Sequence, residues 1–126
     1  MLERNVKKEA KKIFKELAPH AYLFWPVQTG YGMSDLDLIA SVNGFDLRVE
    51  FKNGLNKPTK RQRLVTDDLT YCGVPVLWIN ERNLDDLRSV IIYLNESAQL
   101  HAFEFAYQSR RKFDEEIVRR VRSASG

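Results

Sequence analysis

Cysteine is nearly absent from this chain, and long apolar runs are missing altogether. The single cysteine, Cys72, excludes an intramolecular disulfide and a zinc site built from several cysteines of one chain. No stretch approaches the roughly 18 consecutive apolar residues of a transmembrane helix, so we expect no membrane partner. The first residues lack the apolar segment of a secretory signal, and we therefore expect a protein of the reducing cytoplasm.

Basic residues outnumber acidic ones by a small margin, and they are unevenly distributed. The net charge of +3 and the pI near 9.1 permit nucleic-acid binding without establishing it. Lys57, Lys60 and Arg61 belong to a short basic stretch between residues 52 and 63. Such a stretch contacts phosphates in a nucleic-acid-binding protein, whereas in other proteins it is a solvated loop.

An Asn43-Gly44 pair between two alternating apolar stretches predicts a tight β-hairpin. This pair readily adopts the positive φ angles of a type I′ turn. With these two residues as the loop, Asp37 lies opposite Glu50 on one face of the sheet. Two carboxylates held that close repel each other, and a bound divalent cation removes the repulsion.

Two further charged residues are candidates for the same site. Lys52 shares the face of Glu50 because it follows Glu50 by two positions in a strand. An Asp, a Glu and a Lys on one face suit metal-assisted phosphodiester chemistry. Glu3 lies near the centre of the apolar stripe of the predicted first helix. It joins the carboxylate pair if that helix packs over the hairpin, or else it is a solvated residue at a frayed end.

Gln62 has two candidate roles. It shares a helical stripe with Val65 and Leu69, which turns it toward the sheet, and it has capping-box spacing from Thr59. We expect that one side chain cannot fill both roles completely. Tyr31 lies between two glycines in a predicted loop, where an aromatic ring either contacts a substrate base or sugar or has no role in a site.

Hydrophobic periodicity predicts a single α/β domain with a mixed β-sheet flanked by helices. Helices are expected over residues 2–17, 59–72, 84–94 and 110–122. Strands are expected over residues 36–42, 45–52 and 74–79, the last as a buried central strand. Residues 21–27 are expected to be extended, 28–34 to form a loop, and 100–107 to form either a strand or a helix.

Together these motifs resemble a known superfamily. The chain is similar to the PD-(D/E)XK nucleases, and most of all to the small, stand-alone VRR-NUC-type nucleases of bacteriophages. The resemblance lies within residues 3 to about 80 and is carried by residues 26–37, 43–45, 50–52 and 57–62. It implies a restriction-endonuclease-like core of about residues 1–97, followed by an extension of about residues 98–126 that has no counterpart.

The resemblance also implies roles for the candidate residues. The expected ligands of Mg²⁺ or Mn²⁺ are Glu3, Asp37, Glu50 and the backbone carbonyl of Phe51. Lys52 is expected to orient or deprotonate the attacking water and to stabilise developing charge, and Gln62 matches the VRR-NUC glutamine at the start of the next helix. Tyr31, Lys57, Lys60 and Arg61 are the expected nucleic-acid contacts.

One departure from the family pattern leaves the metal-binding aspartate open. The family usually has Pro before its Asp, whereas Ser34 precedes Asp35 here. That spacing nominates Asp35, while the hairpin register nominates Asp37, because Asp35 would lie opposite Lys52.

The leading hypothesis is therefore a metal-dependent DNA endonuclease, acting on branched or structured DNA in the cytoplasm of a bacterium or of a phage-infected host. One alternative is a nucleic-acid-binding protein on a nuclease scaffold with weak or lost catalysis. Another is a partner-binding phage protein in which the acidic pair is incidental. We also expect a homodimer, built partly on the apolar residues from position 100 onward, unless that segment packs on its own sheet.

Overall fold

The computed structural model describes residues 1–27, 36–97 and 100–125, of which the side chains at positions 100, 101 and 125 are not described. The helices are α1 (Glu3–Leu17), α2 (Lys60–Tyr71), α3 (Leu84–Glu96) and α4 (Leu100–Ser125). The strands are β1 (Tyr22–Phe24), β2 (Leu38–Val42), β3 (Phe45–Phe51) and β4 (Val76–Ile79). The predicted loop over residues 28–34 lies outside the described residues.

The four strands form one mixed sheet in the order β1-β2-β3-β4. β1 pairs with β2 and β2 with β3 in antiparallel fashion, whereas β3 and β4 are parallel. Parallel neighbours need a crossover connection, and α2 supplies it between β3 and β4. The predicted fold class, an α/β domain with a mixed sheet flanked by helices, is confirmed to this extent.

The prediction of a central strand over residues 74–79 is wrong, because β4 lies at an edge of the described sheet. Ile79 is buried, but Val76, Leu77 and Trp78 are only partly so. Helices α2 and α3 both pack on this strand, which accounts for its apolar side chains on both faces. A continuous apolar run is typical of a strand covered on both faces, and it carries no information about position in the sheet.

The hairpin between β2 and β3 forms in the predicted register. Asn43 has a φ of 51° and Gly44 a φ of 85°, which are the positive values of a type I′ turn. The paired residues run from Val42 opposite Phe45 to Leu38 opposite Val49. The Asn43 side chain also donates to the carbonyl oxygen of Leu94 at 3.0 Å, which ties the turn to the end of α3.

The hydrophobic core lies on one face of this hairpin, beneath α1 and α3. The hairpin contributes side chains that are fully buried: Leu38, Ala40, Val42, Leu47, Val49 and Phe51. α1 covers them with the apolar stripe expected from its sequence, Val6, Ala10, Ile13 and Phe14. α3 adds Leu87, Ile91 and Leu94. The intervening residues of β2 and β3 therefore face away from this core. Glu50 is one of them, and Asp37, directly before β2, continues the same alternation.

The C-terminal segment is one continuous helix, α4, where we expected a separate helix only from residue 110 and left 100–107 open. The aromatic residues that alternate as in a strand also recur at helical spacing, and the rings of Phe103 and Tyr107 stack at 6.3 Å. Every described side chain from position 102 to 124 is exposed, so the segment does not pack on the sheet. None of the described helices is long and apolar enough to cross a membrane.

We predict that Asn43→Ala destabilises the protein by about 1 kcal/mol more than Asn43→Gly does. Both variants lose the hydrogen bond to Leu94, but only alanine is strained at a φ of 51°. Urea unfolding of the two variants and the wild type measures the difference. An alanine variant that is as stable as the glycine variant would show that the turn does not hold the register.

Candidate metal centre

Three carboxylates from separate parts of the chain meet at one end of the sheet. Oxygen atoms of Glu3, Asp37 and Glu50 all lie within 4.8 Å of one another. Glu3 is in the first turn of α1, Asp37 directly precedes β2, and Glu50 is near the end of β3. Side-chain exposure falls from 41% for Glu3 to 14% for Asp37 and 2% for Glu50. The cluster is therefore open to solvent beside the N-terminus of α1 and is shielded from solvent at Glu50.

Backbone hydrogen bonds fix the two hairpin acids against each other. The amide of Asp37 donates to Glu50 Oε2 at 3.2 Å, and the amide of Phe51 donates to Asp37 Oδ2 at 2.9 Å. Asp37 and Glu50 thus lie one step beyond the last paired residues, as the turn predicted. The second oxygen of each carboxylate faces a side chain: Asp37 Oδ1 lies 3.6 Å from Lys7 Nζ, and Glu50 Oε1 accepts from Gln62 Nε2.

Two lysines provide positive charge around the cluster. Lys52 Nζ lies 3.7 Å from Glu50 Oε1, which confirms that the two share a face. Lys7 Nζ lies 3.8 Å from Glu3 Oε1 and 3.6 Å from Asp37 Oδ1, and so it bridges two of the three acids. Sequence reasoning missed Lys7, although its position one helical turn after Glu3 was a usable signal.

The pKa of Glu50 is raised from 4.5 to about 8. Burial is the largest cause, and the negative charge of Asp37 and a hydrogen bond to its side chain act in the same direction. The positive charge of Lys52 lowers the pKa but does not offset them. In the absence of a further cation, Glu50 is therefore mostly protonated at neutral pH.

Gln62 fills both of the roles that we expected to exclude each other. Its Oε1 accepts from the amide of Thr59 at 2.8 Å, which completes the capping box with the Thr59 hydroxyl. Its Nε2 donates to Glu50 Oε1, also at 2.8 Å. The expectation was wrong because the two ends of the amide group act in different directions. The N-terminus of α2 is thereby fastened to Glu50.

A groove of about 290 Å³ begins beside the acidic cluster, at Lys52. Lys57 and Arg63 line it together with Trp78, and the guanidinium of Arg63 lies 5.1 Å from the centre of the Trp78 ring. Lys60 and Arg61 are exposed in the first turn of α2 and do not line the groove. Sequence reasoning missed Trp78, which pairs with Glu50 in the parallel register of β3 and β4.

The loop that carries Lys57 is held to the end of β4. Glu81 accepts from the amide of Gly54 with both carboxylate oxygens, at 2.9 and 3.0 Å, and Asn80 donates to the Gly54 carbonyl at 3.3 Å. Hydrogen bonds from its own amide and from that of Gly54 lower the pKa of Glu81. Gly54 itself has a φ of 55°, which suits glycine. The loop that contributes Lys57 to the groove is therefore tied to the end of β4.

Some candidate residues remain outside this geometry. Tyr31 and Asp35 lie outside the described residues. The position of Asp37 in the cluster favours it as the metal ligand, whereas the structure does not describe Asp35. The amide of Phe51 contacts Asp37, and a role for the Phe51 carbonyl stays a prediction.

The donor set of the cluster fits a hard divalent cation. Its atoms are carboxylate oxygens, which suit Mg²⁺ and Mn²⁺ and not the softer metals that prefer sulfur or imidazole. A bound cation would stabilise the charged form of a buried carboxyl most where a neighbouring carboxylate disfavours that form. Glu3, Asp37 and Glu50 are the residues that would hold it.

Comparison of the chain with protein-family models, with curated proteins and with solved structures gives no match. The chemistry of the cluster and the groove is therefore the basis for a functional conclusion.

We predict that Glu50→Gln stabilises the metal-free protein by an amount that grows with pH. Between pH 4.5 and about 8 the unfolded chain has lost the Glu50 proton that the folded chain still holds, so folding becomes less favourable as pH rises. Below that range both states are protonated and the effect vanishes. Glutamine mimics the protonated carboxyl at every pH. Urea unfolding with a chelator at several pH values measures the gain, with Glu9→Gln, an acid that bonds to Lys12 elsewhere on α1, as the control. A gain that is flat or shrinks with pH would contradict this account.

Proposed function

We propose that this protein is a metal-dependent phosphodiesterase of the PD-(D/E)XK type that cleaves DNA. The observation that carries the proposal is the convergence of Glu3, Asp37 and the buried Glu50 within 4.8 Å, with Lys52 against Glu50. The order of these groups along the chain, an Asp before one strand and Glu-x-Lys at the end of the next, is the order of the superfamily motif. We also propose that the mixed sheet and its helices form a restriction-endonuclease-like fold.

In this proposal the acids hold the cation and the neighbouring side chains prepare the reaction. A bound Mg²⁺ or Mn²⁺ supplies Lewis-acid polarisation of a phosphate oxygen and makes a water molecule more acidic. Glu3, Asp37 and Glu50 would hold it, and the backbone hydrogen bonds to Asp37 and Glu50 restrain the orientation of these two side chains. Gln62 is a positioning residue, because its amide nitrogen restrains Glu50 Oε1.

Lys52 is the residue best placed to act on the reacting groups. Its side chain is 18% exposed and its ammonium group lies between Glu50 and the groove. It orients the attacking water and stabilises the negative charge that develops on the phosphate. The water oxygen gives up its proton to solvent and forms a new bond to phosphorus, the bond to the leaving sugar oxygen breaks, and solvent returns a proton to that oxygen.

The groove gives the substrate its chemical class. Lys57 and Arg63 provide charge for phosphate groups, and Trp78, over whose ring Arg63 lies, adds an aromatic side chain to the lining. Lys60 and Arg61 extend the positive surface beyond the groove. A branched or structured DNA, such as a junction or a flap, is the substrate that we propose on the basis of the resemblance to VRR-NUC nucleases.

A second candidate is a nucleic-acid-binding protein without cleavage. One observation favours it: Lys7, Lys52 and the raised pKa of Glu50 balance the cluster without a metal ion. The same groove would then serve binding alone, and the acids would be structural. The experiments below separate the two candidates.

We predict that Asp37→Asn and Glu50→Gln abolish cleavage while leaving the fold intact. Each variant removes a negative charge from the set that would hold the cation. The measurement is cleavage of labelled junctions, flaps, duplexes and single strands with Mg²⁺ and with Mn²⁺. Glu9→Gln is the matched control and should cleave as the wild type does. Wild-type protein that binds these DNAs but cuts none of them would favour the second candidate, and an active Asp37→Asn variant would remove Asp37 from the site.

We predict that Lys52→Ala lowers the cleavage rate by about 10²–10⁴-fold with little change in DNA affinity, because Lys52 acts on the reacting groups. Lys57→Ala, a change at another lysine that lines the groove, should instead weaken binding and reduce its salt dependence while the single-turnover rate is kept. Single-turnover kinetics and DNA titrations at several salt concentrations measure both. A Lys52→Ala variant with a normal rate and weak binding would show that Lys52 only contacts phosphate.

A further inference from the structure

α4 carries an exposed apolar stripe with two charged residues at its middle. Phe103, Tyr107, Ile117 and Val121 are 65%, 46%, 46% and 61% exposed. With Arg110 and Asp114 between them, the spacing alternates between four and three residues along the whole stripe. On a helical wheel these six positions fall within about 40° of one another's mean direction. This alternation is the pattern of a helix that pairs with another helix.

The two central charges have no ion-pair partner among the residues that the structure describes. Arg111 and Arg120, by contrast, pair with Glu115 and Glu116 one turn away on the same helix. Arg110 and Asp114 are separated by the same four positions, yet they are not joined. Both charges are therefore free to pair with charges on another chain.

We infer that α4 pairs in antiparallel fashion with α4 of a second copy of this chain, about a twofold axis at Lys112. In that register Arg110 lies opposite Asp114 of the second copy, and the twofold axis repeats the ion pair. Phe103 lies opposite Val121, and Tyr107 lies opposite Ile117. A parallel pair would instead place Arg110 against Arg110 and Asp114 against Asp114, which is unfavourable. The charges thus select the antiparallel arrangement.

The flanking positions fit the same pair. Phe113 borders the stripe and lies beside its own symmetry mate close to the axis, where two aromatic rings are in reach of each other. On the opposite flank Arg111 also approaches its symmetry mate, but Glu115 of the same helix lies 3.8 Å from it and compensates its charge. Phe105 lies on the outward side of the helix and stays exposed in the pair.

The dimensions of α4 are sufficient for a stable pair. Its 26 residues extend about 39 Å. Three aromatic side chains from each copy, with the aliphatic ones between them, bury on the order of 1,000 Å², the size at which specific interfaces begin. The mixed signs of charge on α4 favour this partner over a lipid surface, which attracts helices with a uniformly basic polar face.

The test is the oligomeric state of the full chain by sedimentation equilibrium in the micromolar range. We expect a dimer of the 14.7 kDa chain. Arg110→Asp and Asp114→Arg should each raise the dissociation constant about tenfold or more, because each places like charges opposite one another. The double variant restores opposite charges only in the antiparallel register and should return to the wild-type value. Arg119→Asp, which makes the same charge change on the outward side of α4, is the control.

A wild-type monomer throughout the micromolar range would overturn the inference. A dimer that is indifferent to the single charge reversals would also overturn it, because it would be built elsewhere. Disulfide trapping gives an independent check on a Cys72→Ser background. A mixture of Tyr107→Cys and Ile117→Cys chains should form a disulfide-linked heterodimer, whereas either variant alone should form no disulfide-linked dimer. A dimeric mixture without this crosslink would rule out the register.

Discussion

The pairing of Asp37 with Glu50 across the β2–β3 hairpin is the constraint on which the rest of this structure depends. Its origin is local, since Asn43 and Gly44 set a turn whose register places the two acids side by side. Its cost is seen in the pKa of Glu50, which burial raises most and the negative charge of Asp37 raises further. The opposite face of the same hairpin holds the centre of the hydrophobic core. The register that buries the core therefore also forces the carboxylates together.

The packing of the core and the geometry of the acidic cluster are consequently coupled. α1 binds the sheet through Val6 and Ala10, and this docking carries Glu3 and Lys7 to Asp37. α2 begins at a capping box in which Gln62 is shared between Thr59 and Glu50. A helix that shifted by one turn would lose its packing and its contact with the acids together. This coupling gives a small domain a rigid polar site without a dedicated scaffold.

Local rules made much of this arrangement predictable from the sequence. The period-2 pattern and the turn residues gave the hairpin register, and the apolar stripe of α1 brought Glu3 inward. Lys7 and Trp78 were missed because their importance comes from packing between elements distant in sequence. The edge position of β4 and the single long α4 could not be read from hydrophobicity, which reports burial but not neighbours. Gln62 was misjudged because hydrogen-bond directions become visible only in three dimensions.

The proposed metal centre of Glu3, Asp37 and Glu50 is tested by a calorimetric titration of the metal-free protein with Mn²⁺. Because burial and Asp37 hold the pKa of Glu50 near 8, a cation that binds this carboxylate must displace its proton at neutral pH. Binding is therefore expected to release a proton, seen as a dependence of the heat on the buffer, and both the binding and the proton release should be lost in Glu50→Gln. Absence of binding, or binding that Glu50→Gln leaves unchanged, would contradict this proposal.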